Sequence, residues 1–160
     1  MNRPSRILLL ALIPLFHGCG PGKDEHAGHD HGSAHKHEHR APHGGTAVVL
    51  GNESFHLEFV RDAATGTLTC FVLDAHMENF VRIAAPLVAL EAELEAGKQS
   101  VGLAAVANAA TGEKVGDSSQ FESKAEWVRN ASKFNGRIPE IEIRGTKFTD
   151  VRFRFPEGNE

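Results

Sequence analysis

The sequence predicts a mainly β fold: a compact antiparallel β-sandwich or barrel-like domain with one short helix, preceded by a signal segment and a disordered His-rich tether. Three observations lead there. From residue 46 onward, short apolar runs are separated by turn signals at the spacing of all-β domains. Several runs alternate apolar and polar residues with a period of two, which puts one side of a strand against a core. Ahead of them, a ten-residue apolar run from Ile7 to Phe16 gives way to a stretch of small and polar residues that cannot bury surface. At 160 residues, 41% apolar and 24% charged, the chain has the composition of one ordinary domain with appendages.

The elements follow in order. TAVVL ends at GNE, and SFHLEFVR ends at DAATG. In SFHLEFVR, Phe55, Leu57 and Phe59 share one face, while His56, Glu58 and Val60 share the other. DAATGT reads as a hairpin turn in which Gly66 takes positive φ. TLTCFVLD is apolar on both faces, as for a central strand, so Cys70 reads as a buried small hydrophobe rather than a reactive thiol. FVRIA is a further strand-like run, closed by AP. PLVALEAELEAG is ambiguous: Leu87, Leu90 and Leu94 have helical spacing, but Val88, Leu90, Ala92 and Leu94 alternate strictly with Ala89, Glu91 and Glu93. The alternation favours a strand, with QSVGLAAVANA as its hairpin partner and TGEKVGDSS as a loop. Phe121, Ala125 and Val128 then fit one helical face, which predicts a short helix over residues 124–131 capped by Ser123. IPEIEIRG and FTDVRFRF alternate cleanly and form a terminal hairpin around Arg144, Gly145 and Thr146.

Domain boundaries follow: residues 1–18 as a signal peptide, 19–44 as an anchor and disordered His-rich tether, 45–156 as the all-β domain and 157–160 as a disordered tail. Arg3 and Arg6 precede the apolar run, which is too short to span a bilayer, a task that takes about 20 helical residues. Cys19 follows Gly18 just beyond it and resembles the lipobox cysteine of bacterial lipoproteins, which implies lipidation at Cys19 and a membrane partner through that lipid. Phe16 and His17 depart from the usual lipobox residues, which leaves a cleaved signal without lipid as the alternative. With Cys19 in the anchor, Cys70 has no intramolecular disulfide partner. Gly20 after the cysteine, in place of the Asp that retains some lipoproteins at the inner membrane, favours a periplasm-facing position on the outer membrane of a bacterial envelope.

HAGHDHGSAHKHEHRAPH, residues 26–43, holds seven histidines in eighteen positions. Neutral imidazole is a good ligand for Zn²⁺, Ni²⁺ and Cu²⁺. The candidate ligands are His26, His29, His31, His35, His37, His39 and His43, with Glu25, Asp30 and Glu38 as oxygen donors nearby. Nothing in the spacing preorganises them, so the expected binding is exchangeable and unselective, suited to buffering a metal or handing it on. Soft donors are scarce beyond Cys70 and Met77, which argues against Cu(I) and favours zinc, with nickel or Cu(II) next. A second candidate site lies on the fold itself, at His56 and His76 with Glu58, Asp74 and Glu78; polar residues at every second position also describe a solvated strand face.

The run PHGGTAVVLGNESFHLEFVRDAATGTLTCFVLD resembles small secreted His-rich lipoproteins of planctomycete type over residues 42–155. Over residues 42–74 it is similar to the N-terminal soluble domain of periplasmic adaptor proteins of heavy-metal efflux pumps. Pro42, His43, Gly44, Gly45, Leu73 and Asp74 carry the match. The coiled-coil hairpin and lipoyl-like segments of a complete adaptor are missing. The resemblance implies an all-β domain handling divalent metal outside the cytoplasm, with a metal efflux or other envelope protein as partner, and supplies no catalytic residue. No Gly-x-Ser-x-Gly, His-Glu-x-x-His or phosphate-binding Gly loop is present, so no enzymatic activity is expected. The net charge of −4, without a basic run, argues against nucleic acid. The rival reading is a surface-tethered interaction module whose histidines are a spacer or pH sensor.

Overall fold

Alternating residues of the predicted strands become the inside and outside of one curved antiparallel sheet in the computed structural model, which describes residues 40–159. The strands are β1 (Thr46–Leu50), β2 (Phe55–Asp62), β3 (Thr67–Asp74), β4 (Leu87–Leu94), β5 (Gly97–Ala105), β6 (Gln120–Lys124), β7 (Phe134–Ile143) and β8 (Thr146–Phe155), with helix α1 (Glu126–Asn130) between β6 and β7. Their order across the eight-stranded sheet is β1-β2-β3-β6-β5-β4-β7-β8. The sheet curls until it nearly closes into a barrel, which meets the mainly β, one-helix expectation.

Closure is visible in the core. Phe59 of β2 stacks on Phe153 of β8, with centroids 4.8 Å apart, although the two strands lie near opposite ends of the sheet order. Phe153 meets Phe134 edge-on, and Phe134 stacks on Phe155 at 4.9 Å. This aromatic column fills the interior together with Val48, Leu50, Leu57, Leu68, Cys70 and Val72. Offset and edge-on ring pairs add to the area they bury. Gly136 of β7 makes the column fit, because a Cβ there would sit 2.3 Å from Cζ of Phe153.

The seam between β1 and β8 is closed by side chains and the C-terminal residues instead of a strand ladder. The carboxamide of Asn159 accepts from the Val49 N–H at 2.8 Å and donates to the Val49 carbonyl at 3.1 Å, as a paired strand residue would. The Thr46 hydroxyl donates to the Pro156 carbonyl. Residues 157–159 are therefore part of the fold, where a disordered tail was expected: β1 has an unpaired edge, and the chain after β8 turns back to satisfy it. Gly158 permits the approach, since its Cβ would lie 2.4 Å from the Ala47 carbonyl oxygen.

Residues 87–94 are strand β4, as the alternation favoured. The β7–β8 turn has Arg144 at φ 50° and Gly145 at φ 80°, the two-residue geometry whose twist suits a hairpin. Two expectations change. QFESK is strand β6, paired with β3 through Cys70↔Phe121, and the helix is only Glu126–Asn130, with Ala125 and not Ser123 at its N-cap. Burying Phe121 in the barrel outweighs the helical spacing that Phe121 shares with Ala125 and Val128. FVRIA runs antiparallel to the end of β3 and makes single bridges, Leu73↔Phe80 and Ile83↔Ser118, instead of a ladder. The helix is held by Arg61, whose guanidinium donates to the carbonyls of Val128 and Arg129 and so caps its C-terminal end.

Two outcomes check this packing. Gly136→Ala forces a methyl group into the Phe153 ring and is expected to lower the unfolding free energy by about 1–3 kcal/mol, read as a lower urea midpoint; an unchanged midpoint refutes the packing described. Cys70 is wholly buried, and burial, with the Glu58 charge adding to it, pushes its thiol far above the ordinary range. A thiol reagent should leave the Cys70 peptide unlabelled in the native protein and label it after denaturation, as mapped by mass spectrometry.

Candidate functional site

On the opposite side of β2 from the core, His56 and Glu58 point away from the barrel interior, and both are completely buried. A solvated strand face would have left them wet. They are covered because the chain ahead of β1 folds over this face and because residues 75–80 pack beside it. Across the β2–β3 ladder Glu58 faces Phe71 and His56 faces Leu73, so the buried polar groups alternate with apolar ones. Leu73 and Met77 are buried here too, outside the main core cluster.

The Pro-His-Gly-Gly step builds the cover. The Gly44 N–H donates to the Ala41 carbonyl at 3.0 Å, forming a turn with Pro42 and His43 at its centre, where the fixed φ of proline is favourable. Gly44 sits at φ 68°, a conformation glycine adopts without strain. Gly45 is required for a different reason: a Cβ there would lie 2.6 Å from the Phe59 carbonyl oxygen and 2.9 Å from Cγ of Glu58. The close approach lets two backbone N–H groups, of His43 at 2.8 Å and of Gly45 at 2.9 Å, donate to Oε1 of Glu58. Oε2 of the same carboxylate lies 2.8 Å from Nδ1 of His43.

The imidazole of His43 is held in plane as well as by its nitrogen. It stacks on the Phe71 ring with centroids 3.9 Å apart and planes 11° apart, and Phe80 tilts against it at 5.8 Å. Its side chain keeps 37% exposure, whereas that of Glu58 has none. The contact leaves Nε2 as the ring nitrogen that faces away from Glu58. No described residue hydrogen-bonds to Nε2. The result is a buried carboxylate, an oriented imidazole and an open nitrogen, an arrangement suited to ligating a metal or accepting a proton.

The other expected ligands are placed differently. His56 is buried, with Nδ1 donating to the Asp74 carbonyl at 3.2 Å, whereas His76 is exposed in the turn after β3. The Asp74 carboxylate is occupied by the N–H groups of Glu78 and Asn79 and by the Asn79 carboxamide at 2.7 Å. Burial pushes the Asp74 carboxyl up, but these hydrogen bonds outweigh it and hold the group below the usual carboxylate range. Among the described residues, no group of three or more His, Cys, Asp or Glu side chains is arranged to hold a metal. Cys19, His26, His29, His31, His35, His37 and His39, and the signal segment with them, lie outside the described residues. Glu58 is the residue that sequence reasoning missed as a partner of His43; the available signal was the doubled glycine, which marks a backbone passing close over something.

A cleft of about 590 Å³ opens at β4, β5, β7 and β8, lined in part by Glu91, Lys98, Arg137, Arg152 and Arg154. Its charges largely meet one another: Arg137 bonds Glu91 and Asp150, and Arg152 bonds Asp150.

Gly45→Ala tests the construction of the site. The added methyl group has no room beneath the turn, so stability should fall by about 1–3 kcal/mol in urea unfolding, and the ring of His43 should lose its upfield-shifting stack on Phe71 in the proton NMR spectrum; a ring environment like that of the parent refutes the close approach. Comparison with known proteins adds no relative to this geometry: no protein-family model, no curated protein and no solved structure matches the chain.

Proposed function

We propose that this is an envelope-anchored metal-binding lipoprotein that buffers or hands on a divalent transition metal, zinc ahead of nickel or Cu(II), through its His-rich segment. The observation that carries the proposal is HAGHDHGSAHKHEHRAPH, with its His-x-His units at residues 29–31 and 35–39. Two imidazoles separated by one residue can reach one ion, and four donors at about 2.0–2.1 Å complete a tetrahedral zinc site. The described site supports the reading, because the last histidine of the run, His43, is fixed by a buried carboxylate with its second nitrogen open. The likeness to His-rich lipoproteins and to the soluble domain of efflux adaptors points the same way, toward metal homeostasis beside an efflux or envelope protein. Among the described residues no helix is long and apolar enough to cross a membrane, and the proposed anchor is the lipid on Cys19.

The cleft over β4, β5, β7 and β8 favours a second reading, a tethered interaction module that binds another envelope protein there while the histidines act as a spacer or pH sensor. Calorimetric titration separates the two. The full chain should bind two or more Zn²⁺ or Ni²⁺ ions at neutral pH, and removal of residues 26–39 should abolish most of that uptake. Binding should fade below about pH 6, because protonated imidazole has no lone pair to give. Unchanged stoichiometry in the shortened chain refutes the role of the histidine run. Absence of binding at micromolar metal leaves the interaction module.

A further inference from the structure

We infer that the cleft over β4, β5, β7 and β8 binds a small monocarboxylate that carries hydroxyl or other hydrogen-bond donors on its body, and that Arg154 grips the carboxylate with Asn135 beside it. The inference stands apart from metal binding, since no residue of the cleft belongs to the histidine run or to the His43 site.

The strand ladder sets the charged lining in two rows. In one, Ser100 of β5, Glu91 of β4, Arg137 of β7 and Arg152 of β8 are successive cross-strand neighbours; in the other, Lys98, Glu93, Asn135 and Arg154 are. Between the rows Ala92, Gly136 and Phe153 are buried, so both rows share the outward face.

The first row is neutralised throughout. Like charges directly opposite, as Arg137 and Arg152 are, destabilise a ladder. Two carboxylates answer them: Glu91, 2.8 Å from Arg137, and Asp150, which bonds both guanidiniums. Asp150 leaves the alternation of β8 to do so, at φ 53°, a conformation uncommon outside glycine. The Arg137 and Arg152 guanidiniums hold its carboxyl below the usual carboxylate range. In the second row Lys98 meets Glu93 at 3.7 Å. Arg154 is the exception. Among the described residues no carboxylate lies within ion-pair distance of its guanidinium, and its cross-strand neighbour is the neutral Asn135. Its backbone is fixed, exchanging two hydrogen bonds with Gly158 of the C-terminal turn.

A guanidinium presents a planar fork that matches a carboxylate or a phosphate. The rest of the lining favours the carboxylate. Glu91, Glu93 and Glu157 also line the cleft, so a phosphate dianion meets more repulsion than a singly charged ligand. Glu157 accepts hydrogen bonds, and Gln99 and Ser100 both accept and donate them, which suits a polar body. The volume of about 590 Å³ is that of a small-molecule site.

The test uses the full chain and sodium gluconate as the probe, read by ¹H–¹⁵N NMR at the Arg154 Nε–H and the Asn135 carboxamide. Both resonances should move along one saturation curve, and sorbitol, which has the hydroxyls without the carboxylate, should move neither. Arg144, exposed and outside the cleft, should stay in place; parallel movement there marks unspecific anion contact and refutes the site. Arg154→Gln should weaken gluconate by about 10-fold or more, the scale of a lost hydrogen bond to a charged group. Asn135→Asp puts a counterion across the ladder from Arg154 and should abolish binding without lowering the urea midpoint, which damage to the fold would not do; unaltered binding in that variant refutes the assignment. Tighter binding of inorganic phosphate than of gluconate overturns the monocarboxylate class. If gluconate leaves the Arg154 resonance unmoved, or binds Arg154→Gln as it binds the parent, the inference fails and the protein-docking reading of the cleft is left.

Discussion

A carboxylate with no access to water sits at the start of this fold, and much of its N-terminal architecture follows from satisfying it. An uncompensated buried charge costs several kcal/mol, so Glu58 requires donors that stay in place. Three reach it: two main-chain N–H groups and one imidazole nitrogen. Main-chain donors can approach only if the chain lies flat on the strand, which demands glycine at position 45. The turn that brings it there uses Pro42 and a left-handed Gly44. The same approach sets where the sheet begins, since β1 pairs with β2 from Thr46↔Phe59, the residues directly next to Gly45 and Glu58. A four-residue motif and one glutamate thus define the entry to the barrel.

The far end of the chain meets the same edge by different means. β1 is bonded to β2 on one side, and its other side faces β8 without a ladder. Asn159 supplies a donor and an acceptor to Val49 from its side chain, which satisfies the edge without requiring another strand. Inside, Phe59 and Phe153 bring β2 and β8 together through their rings. Both ends of the described chain therefore converge on β1 and β2. A stable β2 is the shared condition for the closed barrel and for the His43 site on its outer face.

Alternation made most of the sheet legible, because a period of two in apolar residues has few explanations other than a half-buried strand. β2, β4, β7 and β8 carry it, and β3 shows instead as an apolar run bounded by turns. β6 did not show, since its five residues contain one large apolar side chain, Phe121, and the polar neighbours resemble the first turn of a helix. FVRIA carries the pattern but makes only single bridges, to β3 and to Ser118, and periodicity reports faces without reporting partners. The site was half legible for the same reason. His56 and Glu58 are correctly assigned to the face opposite the core, but a pattern within one strand cannot say that another segment covers that face. The covering segment was visible only as Pro-His-Gly-Gly, whose meaning depends on a contact with residues 58–60 that local sequence does not encode.

The position of His43 at the junction bears on why a histidine-rich segment would adjoin a rigid domain at all. Ordering a residue of an unstructured chain costs roughly 1–2 kcal/mol, so a metal site made wholly from such a chain loses much of its coordination energy to ordering. In the proposed function, an imidazole held by the fold, as His43 is, avoids that loss for its own residue, since Glu58 fixes one ring nitrogen and Phe71 the plane of the ring.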